Sequence, residues 1–411
     1  MTFTVLALLG AISCPQGAEV ARDGERLARL LAADGPADLW VAGTVTGEFS
    51  AKRTVRLHGC EGAKLKGTGA GTVLKIEGDA SLVEDVAFEG SGARVSFEDG
   101  ALKVSGKGVV VRRVSVRDSL YGIALEKCPD CTLEDSYVTG RPELEDNQRG
   151  DGIKLWEAHG SVVRRNRVES VRDVVVWYSR HVTLEDNVIT GGRYGTHFMY
   201  AHDSTVRRSR LERNVVGIFV MYSARVLAED NVLAGAHGPA GMGIGFKESD
   251  AVTLRRNQLV ANTAGTYLDQ TPRDPRQEVV FEDNLFALNT VALRTHSSER
   301  GAVFRGNDFV ENDGLAEVDG NGDARGVRFT GNHWSSYAGY DLDRDGVGDV
   351  AFQVQQPSSD LNDAHPSLKW FRGTAALGLY DAIAKALPFF GTRLLLEDDK
   401  PKVRPNREVP K

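Results

Sequence analysis

The chain of 411 residues carries 50 Lys and Arg against 57 Asp and Glu, a formal net charge of −7, with 41% apolar residues. A mildly acidic pattern with the two signs interspersed excludes nucleic acid as the expected partner. After the first residues nothing reaches the roughly 18 consecutive apolar residues of a membrane span. Before residue 335 no Pro/Ser-rich linker breaks the composition, so one long solenoid fits the length better than two or three ordinary domains.

Residues 1–18, MTFTVLALLGAISCPQGA, combine a short apolar run with a small-residue exit and read as an export signal, although no Lys or Arg precedes the run. Ala11-Ile12-Ser13-Cys14 is an imperfect lipobox, so Cys14 could instead carry a lipid. Gly24 to Asp34 places Leu27, Leu30 and Leu31 at i, i+3, i+4, which predicts a helix that plugs the N-terminal end of the solenoid.

From about residue 75 to 335 the sequence repeats itself. VVRRNRV, VTLEDNVI, STVRRSRL, VLAEDNVL, VTLRRNQL, VVFEDNLF, AVFRGNDF and VRFTGNHW align on Asn166, Asn187, Ser209, Asn231, Asn257, Asn284, Asn307 and Asn332, with spacings of 21 to 27 residues. Short β-branched runs at that period, separated by Gly/Asn/Asp turns, predict an all-β right-handed parallel β-helix. The aligned Asn side chains are expected to stack in a structural ladder along its axis. Domain bounds follow: the signal over 1–18, the capped β-helix over 19–355, and a C-terminal helical segment with an extended tail over 356–411.

Laid on that ladder, the strands around Ile153, Val174, Thr196, Ile218 and Ile244 point those residues inward, with Leu155, Val176, Phe198, Val220 and Phe246 beside them. The opposite face then carries Lys154, Val175, His197 and Phe219, followed by Trp156, Trp177, Met199, Met221 and Lys247. An outward strip of that composition marks a partner-binding face, unless the Pro142 to Arg149 loop folds over it. Tyr178, Tyr200 and Tyr222 follow as an aromatic column. His197, Met199, His202 and Met221 also offer the imidazole and thioether ligands that Cu(I) accepts, although Met is more often packing.

The four cysteines are Cys14, Cys60, Cys128 and Cys131. Cys128-Pro129-Asp130-Cys131 is open between a local disulfide, a redox pair, a soft-metal site and a turn with incidental thiols. Asp151 and Asp173 lie in adjacent turns near the strip and are the carboxylates a β-helix glycosidase would need, yet each sits at a turn position where Asp commonly serves the backbone. Asp341, Asp343, Asp345 and Asp349 alternate before a Gly turn in the opening pattern of a Ca²⁺ loop without its distal Glu. Trp370 to Phe390 keeps helical spacing through Leu377, Tyr380, Ala384 and Leu387 and is too polar to cross a membrane, so Trp370, Leu377, Tyr380 and Leu387 are expected to dock on the solenoid or on a partner. The tail EDDKPKVRPNREVPK reads as extended.

GDGIKLW, RDVVVWYS, RYGTHFMY and GIFVMYS, closed by GNHWSSYAGYDLDRDGVGDVAF, together resemble the NosD family of nitrous oxide reductase maturation proteins over residues 20 to 400. The resemblance implies an exported, non-catalytic component of an ABC-type assembly at the inner membrane. Its partners would be a membrane permease with its ATPase, a copper-chaperone lipoprotein, and nitrous oxide reductase, whose copper–sulfur centre the assembly matures. It also implies that His197, Met199 and Met221 fall on the family's motif turns and that Trp370 to Phe390 meets the permease. The leader without basic residues and the Cys128/Cys131 pair depart from the family pattern. A carbohydrate-active β-helix lyase, hydrolase or epimerase is the alternative.

Overall fold

A computed structural model describes residues 13–319, 322–355, 365–371, 374–386 and 394–407. Two compact units, Met1–Arg210 and Leu211–Lys411, share one architecture. In the first unit three parallel sheets wrap a common core. They run from Glu19–Ala21 to Thr205–Arg207, from Thr44–Thr46 to Val188–Thr190, and from Phe49–Ala51 to Tyr194–Met199. In the second, the corresponding sheets run from Leu227–Glu229 to Arg328–Thr330, from Val232–Ala234 to His333–Trp334, and from Val216–Met221 to Gly314–Val318. Successive chain turns contribute one strand to each sheet, the arrangement of the parallel β-helix that the period predicts.

Most strands of the first two sheets are three residues long because each ends at a corner held in the left-handed region. The residue before the ladder position takes positive φ at Asp135, Arg165, Asp186, Arg208, Asp230, Arg256 and Asp283, and at Gly306 and Gly331 where the repeat supplies glycine. Beyond each corner the amide side chain turns inward. Asn166 donates through Nδ2 to Asn187 Oδ1 at 3.1 Å, and Asn187 N donates to Ser209 Oγ at 3.1 Å. In the second unit Asn231, Asn257, Asn284 and Asn307 each donate to the next amide oxygen at 3.0 Å. A second ladder of Asn262, Asn289 and Asn312 runs in the same unit with bonds of 3.1 and 2.8 Å, which the first alignment did not reveal. The inward residues stack as strictly: Phe281, Phe304 and Phe329 form one column and Phe286, Phe309 and Trp334 another.

The N-terminal cap is α1 (Gly24–Ala32), where Asp23 accepts from Arg26 N and Leu27 and Leu31 are buried. Residues 1–12 of the leader lie outside the described residues. Cys14 is bonded to Cys60, which uses the thiol that lipidation would need. Cys128 and Cys131 form a local disulfide with both residues fully buried, and Cys131 Sγ accepts from Val109 N in a corner column that continues with Ser161. That disulfide is one of the alternatives the spacing left open.

The C-terminal tail begins extended, as read from the sequence. Its first residues, Glu397 and Asp398, close the strand Leu394–Asp398, which runs antiparallel to Phe352–Gln355 with Leu395 and Leu396 buried ahead of the tail. Asp398 ends the ladder: its Oδ2 accepts from Asn332 Nδ2 at 2.9 Å, Asn332 N at 3.1 Å and Trp334 Nε1 at 3.1 Å. Asp398→Ala strands three buried donors at about 1–3 kcal/mol each before relaxation. Urea unfolding is expected to show a loss of about 3 kcal/mol or more, with Asp398→Asn, which keeps an acceptor oxygen, losing less. Equal stability of all three proteins would show that the ladder does not end there.

An aromatic face and a clamped carboxylate pair

The third sheet of the first unit fixes the site by its register. One outward column reads Lys75, Lys103, Ala124, Lys154, Val175, His197, and a second reads Glu126, Trp156, Trp177, Met199. This is the strip read from the sequence, with a correction of register: an irregularity between Asp173 and Val175 sets Asp173 opposite Tyr194 rather than Gly195. A second correction concerns exposure. Lys154, Val175 and His197 face outward but are buried, at 6%, 0% and 6% exposure.

The cover over the first column is built from its neighbours. Lys154 Nζ is held by Glu98 at 2.7 Å, from the segment after the turn Val95–Phe97, and by Glu126 at 3.2 Å. The Pro142 to Arg149 loop is tied elsewhere, through Arg149 to Gly191 O at 3.3 Å. His197 meets the Trp177 ring edge-on at 5.7 Å and the Tyr194 ring at 5.0 Å. The second column stays half-exposed, and Trp156 packs on Trp177 at 6.0 Å and on Tyr178 at 4.9 Å. Tyr178 stacks on Tyr200 at 5.1 Å, as the tyrosine column requires.

In the second unit Phe219 and Met221 occupy the outward positions opposite Gly245 and Lys247. A side chain at Gly245 would meet Phe219 at 2.9 Å, so the glycine makes room for that ring. Beyond it the face becomes charged: Lys247 pairs with Asp269 at 3.5 Å and Arg294 with Glu317 at 3.0 Å.

Beside the strip, Asp151 and Asp173 are clamped by arginines. Arg172 donates twice to Asp151 Oδ1, at 3.0 and 2.8 Å, while Asp173 takes Arg193 Nε at 3.1 Å, a second bond from Arg193 Nη2, and Tyr194 N at 3.0 Å. Burial pushes the Asp151 carboxyl up to about 6, against the pull of Arg172. The same burial pushes the His197 imidazole down to about 4.

Of the candidate metal ligands in the first unit, His197 and His202 stand in different surroundings. His197 Nδ1 lies 3.3 Å from Trp177 Nε1, which can only donate, so a neutral His197 carries its proton on Nε2. Metal-bound histidines instead donate from their second nitrogen, so ligation at His197 requires breaking this contact. His202 lies past the Tyr200 corner, on a groove described below. Asp341, Asp343 and Asp345 bring oxygens within 4.8 Å of one another, but Asp341 already accepts from Asp345 N and Gly346 N, and Asp349 accepts from Leu342 N, as a turn would arrange them. At the C terminus α2 (Ala375–Ala386) half-buries Leu377 and Tyr380 and buries Ala384. Leu387 and the side chain of Trp370 lie outside the described residues. Spacing missed the opposite face of α2, where Leu379 and Ile383 are 61% and 44% exposed. No helix among the described residues is long and apolar enough to cross a membrane.

Fold and face define a parallel β-solenoid with an aromatic, thioether-bearing outer sheet. Residues 135–339 match the family described as "Periplasmic copper-binding protein (NosD)", and the chain belongs to the NosD family. It is 26% identical over 396 residues to the "Probable ABC transporter binding protein NosD" of Pseudomonas aeruginosa, covering 84% of this chain and 83% of that protein. It is 23% identical over 396 residues to the protein of the same name from Stutzerimonas stutzeri, covering 84% and 82%. Among solved structures, the A-module of the mannuronan C-5 epimerase AlgE6 of Azotobacter vinelandii superposes with a TM-score of 0.57 at 14% identity, over 79% of this chain and 97% of that one, a likeness of fold.

The two perturbed groups predict a compensated pH profile. Asp151 is raised, so the folded state holds the proton more tightly and stability falls as pH rises from about 4 to 6; His197 is depressed, so stability rises as pH goes from about 4 to 6.5. At 1.36 kcal/mol per pKa unit each slope amounts to roughly 3 kcal/mol, and in the native protein they nearly cancel. His197→Gln should therefore lose stability from pH 4 to 6, and Asp151→Asn should gain it. Parallel denaturant titrations at pH 4, 5 and 6.5 check this, and slopes of the same sign in both variants would refute it.

Proposed function

We propose that the protein is the non-catalytic partner-binding component of an ABC-type assembly that matures the copper–sulfur centre of nitrous oxide reductase. It works outside the cytoplasm at the inner membrane, beside a permease with its ATPase and a copper-chaperone lipoprotein, and assists copper delivery. Family membership supports the setting, and the names of the relatives support the link to a transporter.

The observation that carries the reading is apolar surface left half-exposed on the strip and exposed on α2. Trp156, Trp177 and Met199 form a half-exposed ridge, and α2 offers Leu379 and Ile383. Such surface is costly to leave in water and fits a partner. Asp151 and Asp173, the carboxylates a glycosidase would use, are instead 2% and 0% exposed and saturated by arginines, which speaks against the carbohydrate-enzyme alternative.

Leu379→Glu combined with Ile383→Glu should leave the thermal midpoint within a few degrees, because neither side chain is in the core. Co-purification of the permease and ATPase should fall at least tenfold, and reductase from those cells should lack its copper–sulfur centre. Permease recovered at wild-type yield would show that α2 is only a cap. Trp156→Glu tests the ridge in the same way: retained folding with lost maturation is expected, and full maturation would remove the ridge from the interface.

A further inference from the structure

On three successive turns of the first unit, the corner that follows the outer sheet carries a base: His159, Arg180 and His202. Gly160 N donates to Arg180 O at 2.9 Å, and Arg180 and His202 face one another in a parallel bridge. With Tyr178, His181 and Tyr200 these residues line an open groove, and among the described residues no carboxylate lines it. That departs from the pattern of the chain. On the first sheet Arg112 and Arg113 answer Glu84 and Asp85, and at this same corner on the two preceding turns Lys107 meets Asp130 at 3.7 Å. The Arg180 guanidinium is exposed and has no ion-pair or hydrogen-bond partner among the described residues.

The groove also has aromatic walls. Tyr178 and Tyr200 sit at φ of 51° and 50°, a region uncommon for bulky side chains, and each is 41% exposed. The equivalent corner residues on the earlier turns are Lys127 and Glu157, so the tyrosines are a feature of these two turns.

We propose that this groove takes an acidic segment of a protein partner, with a carboxylate set against Arg180. The proposal rests on the partner-binding reading above and names the chemistry that the partner presents at this corner. Bases on opposed rungs repel one another, and an anion laid along the column removes that cost. The planar fork of Arg180 matches a carboxylate with two parallel hydrogen bonds. His159 suits the same ligand: its Nδ1 accepts from Arg180 N at 3.1 Å, so the neutral ring keeps a donor on Nε2. The nearby carboxylates are engaged elsewhere, Asp130 with Lys107 and Glu157 with Trp156 Nε1 at 3.3 Å. Trp156 also joins the groove to the ridge, since it packs on Tyr178 at 4.9 Å, and Trp, Tyr and Arg are the side chains that most often anchor interfaces. A peptide fits better here than a sugar chain. The Tyr178 ring has Tyr200 stacked on one side and Trp156 on the other, which leaves no open face for a sugar ring.

The test is fluorescence anisotropy of the full-length protein with a labelled, acetylated hexaglutamate. The chain has a net charge of −7 and repels such a peptide as a whole, so binding reports a local site. The wild type should bind, and more weakly as salt rises. Arg180→Glu should weaken binding at least tenfold and His159→Leu several-fold, with thermal midpoints unchanged because both side chains are exposed. Arg29→Glu, the same charge reversal on the exposed side of the capping helix, should bind as the wild type does. A wild type that does not bind hexaglutamate, wild-type affinity in Arg180→Glu, or an equal loss in Arg29→Glu would overturn the site. Tighter binding of labelled hexagalacturonate would overturn it in favour of an acidic glycan. Failure of the assembly reading is registered separately, as a wild type that brings down no permease, whereas failure of the groove alone leaves the permease co-purifying and Arg180→Glu indistinguishable from the wild type.

Discussion

Most turns between Asn166 and Asn332 bury a side-chain amide at one corner and meet both its donors and its acceptor from the turns on either side. An Asn in an apolar core without partners costs a few kcal/mol, so a single amide would be a liability. A column of them is not. Asn257 illustrates the arrangement: its Oδ1 takes the Asn231 side chain, and its Nδ2 donates to Asn284 Oδ1 and to Ala228 O, so every member fixes the position of the next. The residue before each amide is held at positive φ even where it is Arg or Asp, as is the residue before Ser136 and Ser209. The corner strain is repaid by the ladder. The ladder also has to end, and at the C-terminal side of the second unit it does so on a carboxylate, Asp398, whose Oδ2 alone accepts three bonds.

Charge adds a second constraint on register. The pair Glu84-Asp85 is clamped by Arg112-Arg113 one turn later, Glu134-Asp135 by Arg164-Arg165, Glu185-Asp186 by Arg207-Arg208, and Glu229-Asp230 by Arg255-Arg256. Pairs of this kind at the surface contribute little stability individually. Their value is in specificity, since in these pairs slipping a strand by one turn would set Arg against Arg and Glu against Glu, and slipping it by one residue would turn its apolar set outward. The ladder holds the turns together and the charges say which turn is next.

Both devices were legible because they repeat. The EDN and RRN triplets carry the acidic and basic rungs and the ladder residue in three letters, which is why the solenoid, its period and its inward residues could be read from sequence. The second ladder at Asn262, Asn289 and Asn312 was missed because it spans only three turns. The capping role of Asp398 was not legible, because composition cannot distinguish a carboxylate that ends a column of amides from one that faces water. The strip's outward direction was legible from alternation. Its burial was not, because the cover over Lys154 comes from Glu98, 56 residues earlier in the chain, and the cover over His197 from rings on its own and the adjacent strand.

The same limit applies to the histidines, whose residue type says nothing of their surroundings. By type, His197, Met199 and His202 are three soft ligands within six positions. What decides competence is the second nitrogen of each ring. His197 and His159 both spend Nδ1 accepting a hydrogen bond, one from an indole and one from a backbone amide, so in each the remaining nitrogen carries the proton. A metal would have to displace those bonds, and at His197 it would also have to enter a nearly closed cover of tryptophan and tyrosine rings. His202 lies past the Tyr200 corner instead, on an open groove that His159 and His181 also line.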